Sequence, residues 1–149
     1  MKKISIILTV IIIAFLSISA SAEVRWYSLN EGTDKAKIEK KPMIVDFFFG
    51  KGCPRCEKLQ KNVYDNAAIS KKIMDDFIPI RVDLSKKLTL EEKTFGDKFE
   101  FKEDCLLLFL DYNGNVINGP GGQRLCFIDN VEPASFIEYL EFIKGTKIK

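Results

Sequence analysis

Histidine is absent from the 149 residues of the chain. This absence excludes serine-histidine-aspartate triads, cysteine-histidine dyads and metal sites with imidazole ligands. Tryptophan occurs once, as Trp26, and the chain has no internal repeat, no low-complexity segment and no linker. Any catalytic group must therefore be a cysteine, aspartate, glutamate, lysine or tyrosine within one continuous globular region.

The first 22 residues are expected to lie outside this region. Met1–Lys3 is a short basic start, Ile4–Ile18 is almost wholly apolar, and Ala20–Ala22 supplies small residues. This pattern is typical of a signal peptide cleaved after Ala22, which would place the remaining chain outside the cytoplasm, where disulfides persist. An uncleaved membrane anchor is the alternative, because the apolar run is only slightly shorter than a spanning helix. The small residues at Ala20–Ala22 favour cleavage.

An excess of one charge is also missing once residues 1–22 are set aside. Two of the 23 basic residues lie in that segment, so residues 23–149 have 21 basic and 21 acidic residues. Because no basic excess remains to neutralise phosphates, we expect no nucleic-acid partner. The length of residues 23–149 corresponds to one ordinary domain.

Strand and helix patterns alternate along residues 23–149. Strands are predicted at Val24–Asn30, Pro42–Phe49, Ile78–Leu84 and Cys105–Asp111, followed by a "YNGN" hairpin turn and a return strand. Helices are predicted after a cap at Asn30 or Thr33, from Pro54, at Asn66–Phe77, at Leu88–Phe101 with an interruption at Gly96, and at Glu132–Gly145. This order predicts a single α/β domain with a mixed central β-sheet flanked by helices.

The motif "CPRC" contains two of the four cysteines, Cys53 and Cys56. Pro54 is favoured at the first position of a helix and therefore places Cys53 just before a helix N-terminus. The unpaired N–H groups and the helix dipole favour the Cys53 thiolate, and Arg55 adds a cation. Cys56 lies one turn further on, within reach of a mixed disulfide formed on Cys53. We predict Cys53 as the attacking thiolate and Cys56 as the resolving thiol.

A CxxC motif can also be a structural disulfide or half of a zinc site. A disulfide across three positions stabilises little, because it restrains almost no loop. A zinc site would need two further thiolates, for which only Cys105 and Cys126 remain, and neither belongs to a second CxxC. Redox exchange is therefore favoured over metal binding.

The chain resembles the thioredoxin superfamily over residues 24–149. It looks most like the periplasmic thioredoxin-like domains that end the DsbD-type thiol:disulfide interchange proteins. The resemblance rests on the CPRC motif after a buried strand and on the segments "IRVDL", "LLLFLDYNGNV" and "RLCFIDNVEPASFIEYL". It implies a thioredoxin-like fold for residues 23–149, a five-stranded sheet core and dithiol–disulfide exchange with a partner protein.

Two departures from the family lie beside the motif. Gly52 stands where the family usually has an aromatic residue before the first cysteine. Many members also have a buried acid in the preceding strand, which helps to deprotonate the resolving cysteine. Asp46 is the candidate for this modulating role, but one extra residue separates it from the CxxC. The alternative is a strand-edge aspartate with no catalytic part.

A third departure is Cys105, which takes the place of the family's cis-proline in "CLLLFLD". The resemblance implies that Cys105 borders the Cys53–Cys56 pair and modulates it, with Cys126 nearby on the return strand. Cys105 and Cys126 could form a second disulfide, structural or redox-active, that contributes about 3 kcal/mol. They could instead stay as buried thiols, or all four cysteines could bind a metal. The second disulfide is favoured.

The resulting hypothesis is an extracytoplasmic thiol–disulfide oxidoreductase, periplasmic or secreted, with the CPRC dithiol as its only redox centre and no organic cofactor. Expected partners are protein thiol or disulfide substrates and a membrane thiol–disulfide reductase or oxidase, and the chain is expected to be a monomer. The competing hypothesis is a thioredoxin-fold metal-binding or interaction module that uses a four-cysteine cluster without exchange activity.

Overall fold

The computed structural model describes residues 23–100, 107–122, 124 and 132–146. Residues 1–22, Cys105 and Cys126 lie outside this part of the chain. No helix among the described residues has the length and apolar composition needed to cross a membrane. The elements are α1 (Leu29–Glu39), β1 (Met43–Phe48), α2 (Pro54–Leu59), a π-helical turn (Gln60–Tyr64), α3 (Ala67–Asp76), β2 (Ile78–Asp83), α4 (Leu90–Lys98), β3 (Leu107–Leu110) and α5 (Pro133–Gly145).

The described strands form a mixed sheet in the order β2-β1-β3. β1 pairs in parallel with β2, so that Asp46 lies opposite Arg81. β1 pairs antiparallel with β3, where Asp46 lies opposite Leu107. The predicted mixed central sheet is confirmed, and β1, the strand that leads to the CPRC motif, occupies its centre.

Helices cover both faces of the sheet. Successive side chains of β1 point to opposite faces and therefore pack against different helices. Ile44 packs in a cluster with residues of α3, the π-helical turn and α5. Val45 and Phe47 pack in a second cluster with residues of α1, β2 and β3, together with Cys56. The predicted apolar stripe of the last helix is confirmed, since Phe136, Leu140 and Ile143 are fully buried.

The strand predicted at Val24–Asn30 is wrong. Only Tyr27 pairs with the sheet, through a single parallel bridge to Ile80. α1 begins at Leu29, and its N-cap is Ser28 rather than the predicted Asn30 or Thr33. The Ser28 Oγ accepts a hydrogen bond from the Glu31 N–H, and the Glu31 carboxylate accepts one from the Ser28 N–H. This capping box starts the helix at Leu29, before the predicted end of the strand at Asn30.

One further expectation differs from the structure, and a second is covered only in part by the described residues. Gly96 does not interrupt the fourth helix; it is a buried residue inside α4, which is capped by Thr89 and Glu92. The five-stranded core implied by the resemblance is represented, within the described residues, by three strands and isolated bridges. The return segment contributes two such bridges, Leu110 to Val116 and Asn118 to Arg124.

A close approach between α1 and β2 makes Gly32 a sensitive position. Replacing Gly32 with alanine is expected to lower the free energy of unfolding by about 1–3 kcal/mol, the usual cost of overpacking a core. An added Cβ would lie 2.3 Å from Cγ1 of Ile80, whose side chain is fully buried. Chemical denaturation of the variant measures the effect.

Gly145 provides the matched control for this substitution. It also lies in a helix, but no heavy atom lies within 4 Å of a Cβ built there. Gly145→Ala is therefore expected to change the unfolding free energy by less than about 1 kcal/mol, in the stabilising direction. Equal effects of the two substitutions would contradict the packing argument.

Candidate active site

The CPRC motif follows directly on the central strand. After β1, a short turn passes through Gly50 and Gly52, whose φ angles are +79° and +90°. No heavy atom lies within 4 Å of a Cβ built at Gly52, so its backbone conformation, rather than crowding, favours glycine there. Cys53 is the N-cap of α2 and Pro54 its first residue. The predicted helix start is confirmed.

Cys53 and Cys56 form a disulfide, with their Cα atoms 5.2 Å apart. The Cys56 N–H donates a hydrogen bond to the Cys53 Sγ over 3.2 Å. Cys53 is half-buried, whereas Cys56 is 4% exposed and packs against the sheet. The two sulfurs are therefore held at the helix N-terminus with unequal access to solvent.

Glu57 supports the turn in front of the motif, a role that the sequence reasoning missed. Its Oε1 accepts the Gly52 N–H over 3.2 Å, and its own N–H donates to the Cys53 carbonyl over 3.0 Å. An acidic residue in the first turn of a helix was the available signal, because it interacts favourably with the helix dipole. Glu57 thus fixes the backbone on both sides of Cys53.

Asp46 is buried in the central strand, with 2% of its surface exposed. Asp46 therefore does not lie at a strand edge. Burial raises the pKa of Asp46 from 3.8 to about 6, although the neighbouring Arg81 guanidinium acts in the opposite direction. The modulating role of Asp46 stays a prediction.

Arg81 is a second residue that the sequence reasoning missed. Its Nε and Nη2 lie 3.0 Å and 2.9 Å from Asp46 Oδ2, and Nη2 also donates to Gln60 Oε1 over 3.2 Å. The guanidinium carbon lies 4.0 Å from the centre of the Trp26 ring and 4.3 Å from that of Phe48. The available signal was an acidic residue inside one buried strand and a basic residue inside another.

A cavity of about 190 Å³ lies beside the motif helix. Cys56 lines it together with Phe48, Lys51, Gln60 and others. The buried Cys56 and Gln60, which accepts a hydrogen bond from Arg81, therefore line the same cavity.

The remaining predicted site residues are only partly covered by the structure. Arg55 lies in the first turn of α2, between the two cysteines, and is half-buried. Cys105 and Cys126 lie outside the described residues, so their pairing stays a prediction. Within the described part of the chain, no three cysteine, aspartate or glutamate residues are grouped so that they could hold a metal ion.

Comparison with known proteins agrees with this architecture. The family described as thioredoxin-like matches residues 25–111. An uncharacterised protein of Archaeoglobus fulgidus is 28% identical over 103 residues, which cover 66% of this chain and 80% of that protein.

Solved structures show the same fold. DsbH oxidoreductase superposes with a TM-score of 0.66 at 17% identity, over 88% of this chain and 91% of its own. The oxidised C-terminal domain of Neisseria meningitidis DsbD superposes with a TM-score of 0.57 at 18% identity, over 79% of this chain and 98% of its own. The family match spans more than half of the sequence, and the predicted superfamily is confirmed: the chain belongs to the thioredoxin-like family.

Proposed function

We propose that the chain is a thiol–disulfide oxidoreductase that exchanges the Cys53–Cys56 pair with partner proteins. The observation that carries this proposal is the disulfide at the start of α2, where the Cys53 sulfur accepts the Cys56 N–H over 3.2 Å. A backbone N–H directed at this sulfur stabilises the thiolate that forms when the disulfide opens. The family to which the chain belongs supports the same reaction class.

The exchange takes place in two displacements. The Cys53 thiolate attacks one sulfur of a substrate disulfide; a mixed disulfide forms, and the other substrate sulfur leaves as a thiolate and takes up a proton. Cys56 then loses its proton and attacks the Cys53 Sγ, which closes the Cys53–Cys56 disulfide and releases the first substrate sulfur. Two electrons pass to the substrate, and the reverse steps oxidise a substrate dithiol.

The unequal burial of the two cysteines supports this division of roles. Cys56 is almost fully enclosed, so a protein substrate reaches the half-buried Cys53 first. Cys56 needs no access of its own, because its target is the neighbouring Cys53 sulfur. Arg55 adds positive charge in the same helical turn and favours the Cys53 thiolate.

We further propose that the protein acts outside the cytoplasm, in the periplasm or after secretion, as a monomer without an organic cofactor. Residues 1–22 have the pattern of a signal peptide, and disulfides persist in such compartments. The likeness to DsbH oxidoreductase and to the DsbD domain supports two kinds of partner. These are protein thiol or disulfide substrates and a membrane thiol–disulfide reductase or oxidase.

Selective alkylation tests the assignment of the nucleophile. In the reduced protein, Cys53 is expected to react with iodoacetamide well below pH 8, while Cys56 reacts at least about 10-fold more slowly because it is buried and its thiolate is less favoured. Mass mapping of the labelled peptides against pH assigns each thiol separately. Equal rates for Cys53 and Cys56 would refute the assignment.

A further inference from the structure

The cavity of about 190 Å³ beside the dithiol lies at the protein surface. Phe48, Gly50 and Cys56 line it, and so does the exposed Lys61 of the π-helical turn. Phe49, between Phe48 and Gly50, exposes 46% of its surface. Typical small-molecule sites have about 300–1,000 Å³, so this cavity is too small for most free ligands. It suits one apolar side chain that protrudes from a larger partner.

The cavity begins close to the proposed nucleophile. Lys51 lines it and precedes Cys53 by two positions, and Cys56 lines it with its Cα 5.2 Å from that of Cys53. An extended chain spans about 3.3–3.6 Å per residue, so a residue two or three positions from a reacting cysteine lies roughly 7–10 Å away from it. A protein substrate joined to Cys53 therefore has such a residue within reach of the cavity.

Lysines dominate the charge around the cavity. Lys51 and Lys61 line it, and Lys58 lies three positions before Lys61. All three are exposed, and none of them has a carboxylate partner among the residues that the structure describes. Although residues 23–149 are balanced in charge, residues 50–65 carry four basic and two acidic side chains: Lys51, Arg55, Lys58 and Lys61 against Glu57 and Asp65.

The two carboxylates in the lining are bound locally. Oε1 of Glu57 accepts a hydrogen bond from the Gly52 N–H over 3.2 Å, and Oδ1 of Asp65 accepts one from Gln60 Nε2 over 2.8 Å. The lysines, rather than these carboxylates, are therefore available to pair with a charged group of a partner. Charge complementarity requires that this group be acidic.

We infer that this cavity and its lysines are the docking surface for the protein substrate. The substrate segment places an apolar side chain against Phe48 and Cys56, two or three positions from its reactive cysteine, and acidic side chains against Lys51 and Lys61. Opposite charges steer the encounter, and burial of the apolar side chain holds the segment while the disulfides exchange. This inference rests on the proposed thiol–disulfide exchange and adds the chemical class of its substrate.

Peptide disulfides with a coloured leaving group measure this selectivity. Each peptide has one cysteine joined to thionitrobenzoate, a phenylalanine two positions away and two adjoining glutamates, on either side of the cysteine in separate peptides. The Cys53 thiolate attacks the peptide sulfur and forms the mixed disulfide, while the aromatic thiolate, the better leaving group, departs and is followed by its absorbance.

The acidic peptide is expected to be the preferred substrate in one of the two orientations. At low salt it should react about 10-fold or more faster than a peptide with lysines in place of the glutamates, and this ratio should fall below about 2-fold in about 0.5 M salt. Alanine in place of the phenylalanine should slow the reaction about 5-fold or more, because the apolar side chain is then missing from the cavity.

Charge reversal locates the docking surface on the protein. Lys51→Glu and Lys61→Glu are each expected to lower the acidic-to-basic rate ratio about 5-fold or more. The ratio cancels any effect of a variant on the reactivity of the dithiol, because both peptides meet the same Cys53. Lys37→Glu is the matched control, since this exposed lysine lies in the last turn of α1, before β1, whereas the motif follows the end of β1. Its ratio should stay within about 2-fold of the wild-type ratio.

A wild-type ratio near one, equal rates for the phenylalanine and alanine peptides, or an equal fall in Lys37→Glu would overturn the inference. So would a dimer in sedimentation that Lys61→Glu dissociates, since a second copy of the chain would then occupy the cavity. Exchange with hydroxyethyl disulfide, which has no docking segment, tests the proposed function separately. If that exchange fails, fluorescence anisotropy of labelled peptides with serine in place of cysteine still shows whether the acidic peptide binds more tightly than the basic one.

Discussion

Replacing Cys56 with serine is expected to abolish turnover and to accumulate protein trapped in mixed disulfides through Cys53. Without the resolving thiol, the mixed disulfide can be opened only by an external thiol. Groups held within one helical turn react as if at very high local concentration, so multiple-turnover exchange should fall on the order of 10³-fold or more with external thiol at about 1 mM. Insulin reduction and non-reducing electrophoresis measure the two effects.

Cys53→Ser is the matched control for this experiment. It removes the proposed nucleophile and should also abolish turnover, but it should form no adducts, because the remaining Cys56 is buried. Trapped adducts in Cys56→Ser and their absence in Cys53→Ser would assign both roles at once. Normal turnover in Cys56→Ser, or adducts in both variants, would contradict the two-step mechanism.

The stability of the oxidised protein is expected to fall with rising pH through the titration of Asp46. The pKa of this carboxyl is raised by burial from 3.8 to about 6 in the folded state. A raised pKa means that the folded state binds the proton more tightly, so the contribution is fully present below pH 4 and lost by about pH 7. The loss amounts to about 3 kcal/mol, since each unit of difference between the folded and unfolded pKa values corresponds to about 1.4 kcal/mol.

Asp46→Asn isolates this contribution. Other carboxylates give the opposite trend, for example Asp83, whose pKa is lowered to about 2 mainly by its hydrogen bond with Lys86. Urea denaturation of both proteins between pH 4 and pH 7 should show a wild-type stability that decreases relative to the variant by about 2–3 kcal/mol. The slope of this difference is the test, because effects of the substitution on packing and on neutral hydrogen bonds shift the variant's stability equally at every pH. A flat difference would show that Asp46 is ionised throughout.

Patterns among residues close together in the sequence were sufficient to predict much of the fold. The buried runs of β1 and β2, the apolar stripe of α5 and the CPRC motif behind Pro54 all depend on residues a few positions apart, and their predicted positions agree with the structure to within a few residues. The wrong strand prediction at Val24–Asn30 also has a cause among neighbouring residues. Ser28 and Glu31 form a capping box, and this competing signal decided the backbone of that segment.

Contacts between distant residues were decided by tertiary structure alone. Asp46 and Arg81 are 35 positions apart, and only the register of β1 against β2 places them opposite each other. The widened turn at Gln60–Tyr64 has no clear sequence pattern, yet it includes the glutamine that meets Arg81.

The sequence by itself therefore determined the redox dithiol, its place at a helix N-terminus and the family, because each follows from residue types at fixed short spacings. Only the tertiary structure decided the surroundings of Asp46. Burial and the guanidinium of Arg81 act on this carboxyl, and the ring of Trp26, from a third segment of the chain, lies against that guanidinium. Sheet pairing and helix packing bring these segments together, and the resulting electric field at one buried atom depends on all of them at once.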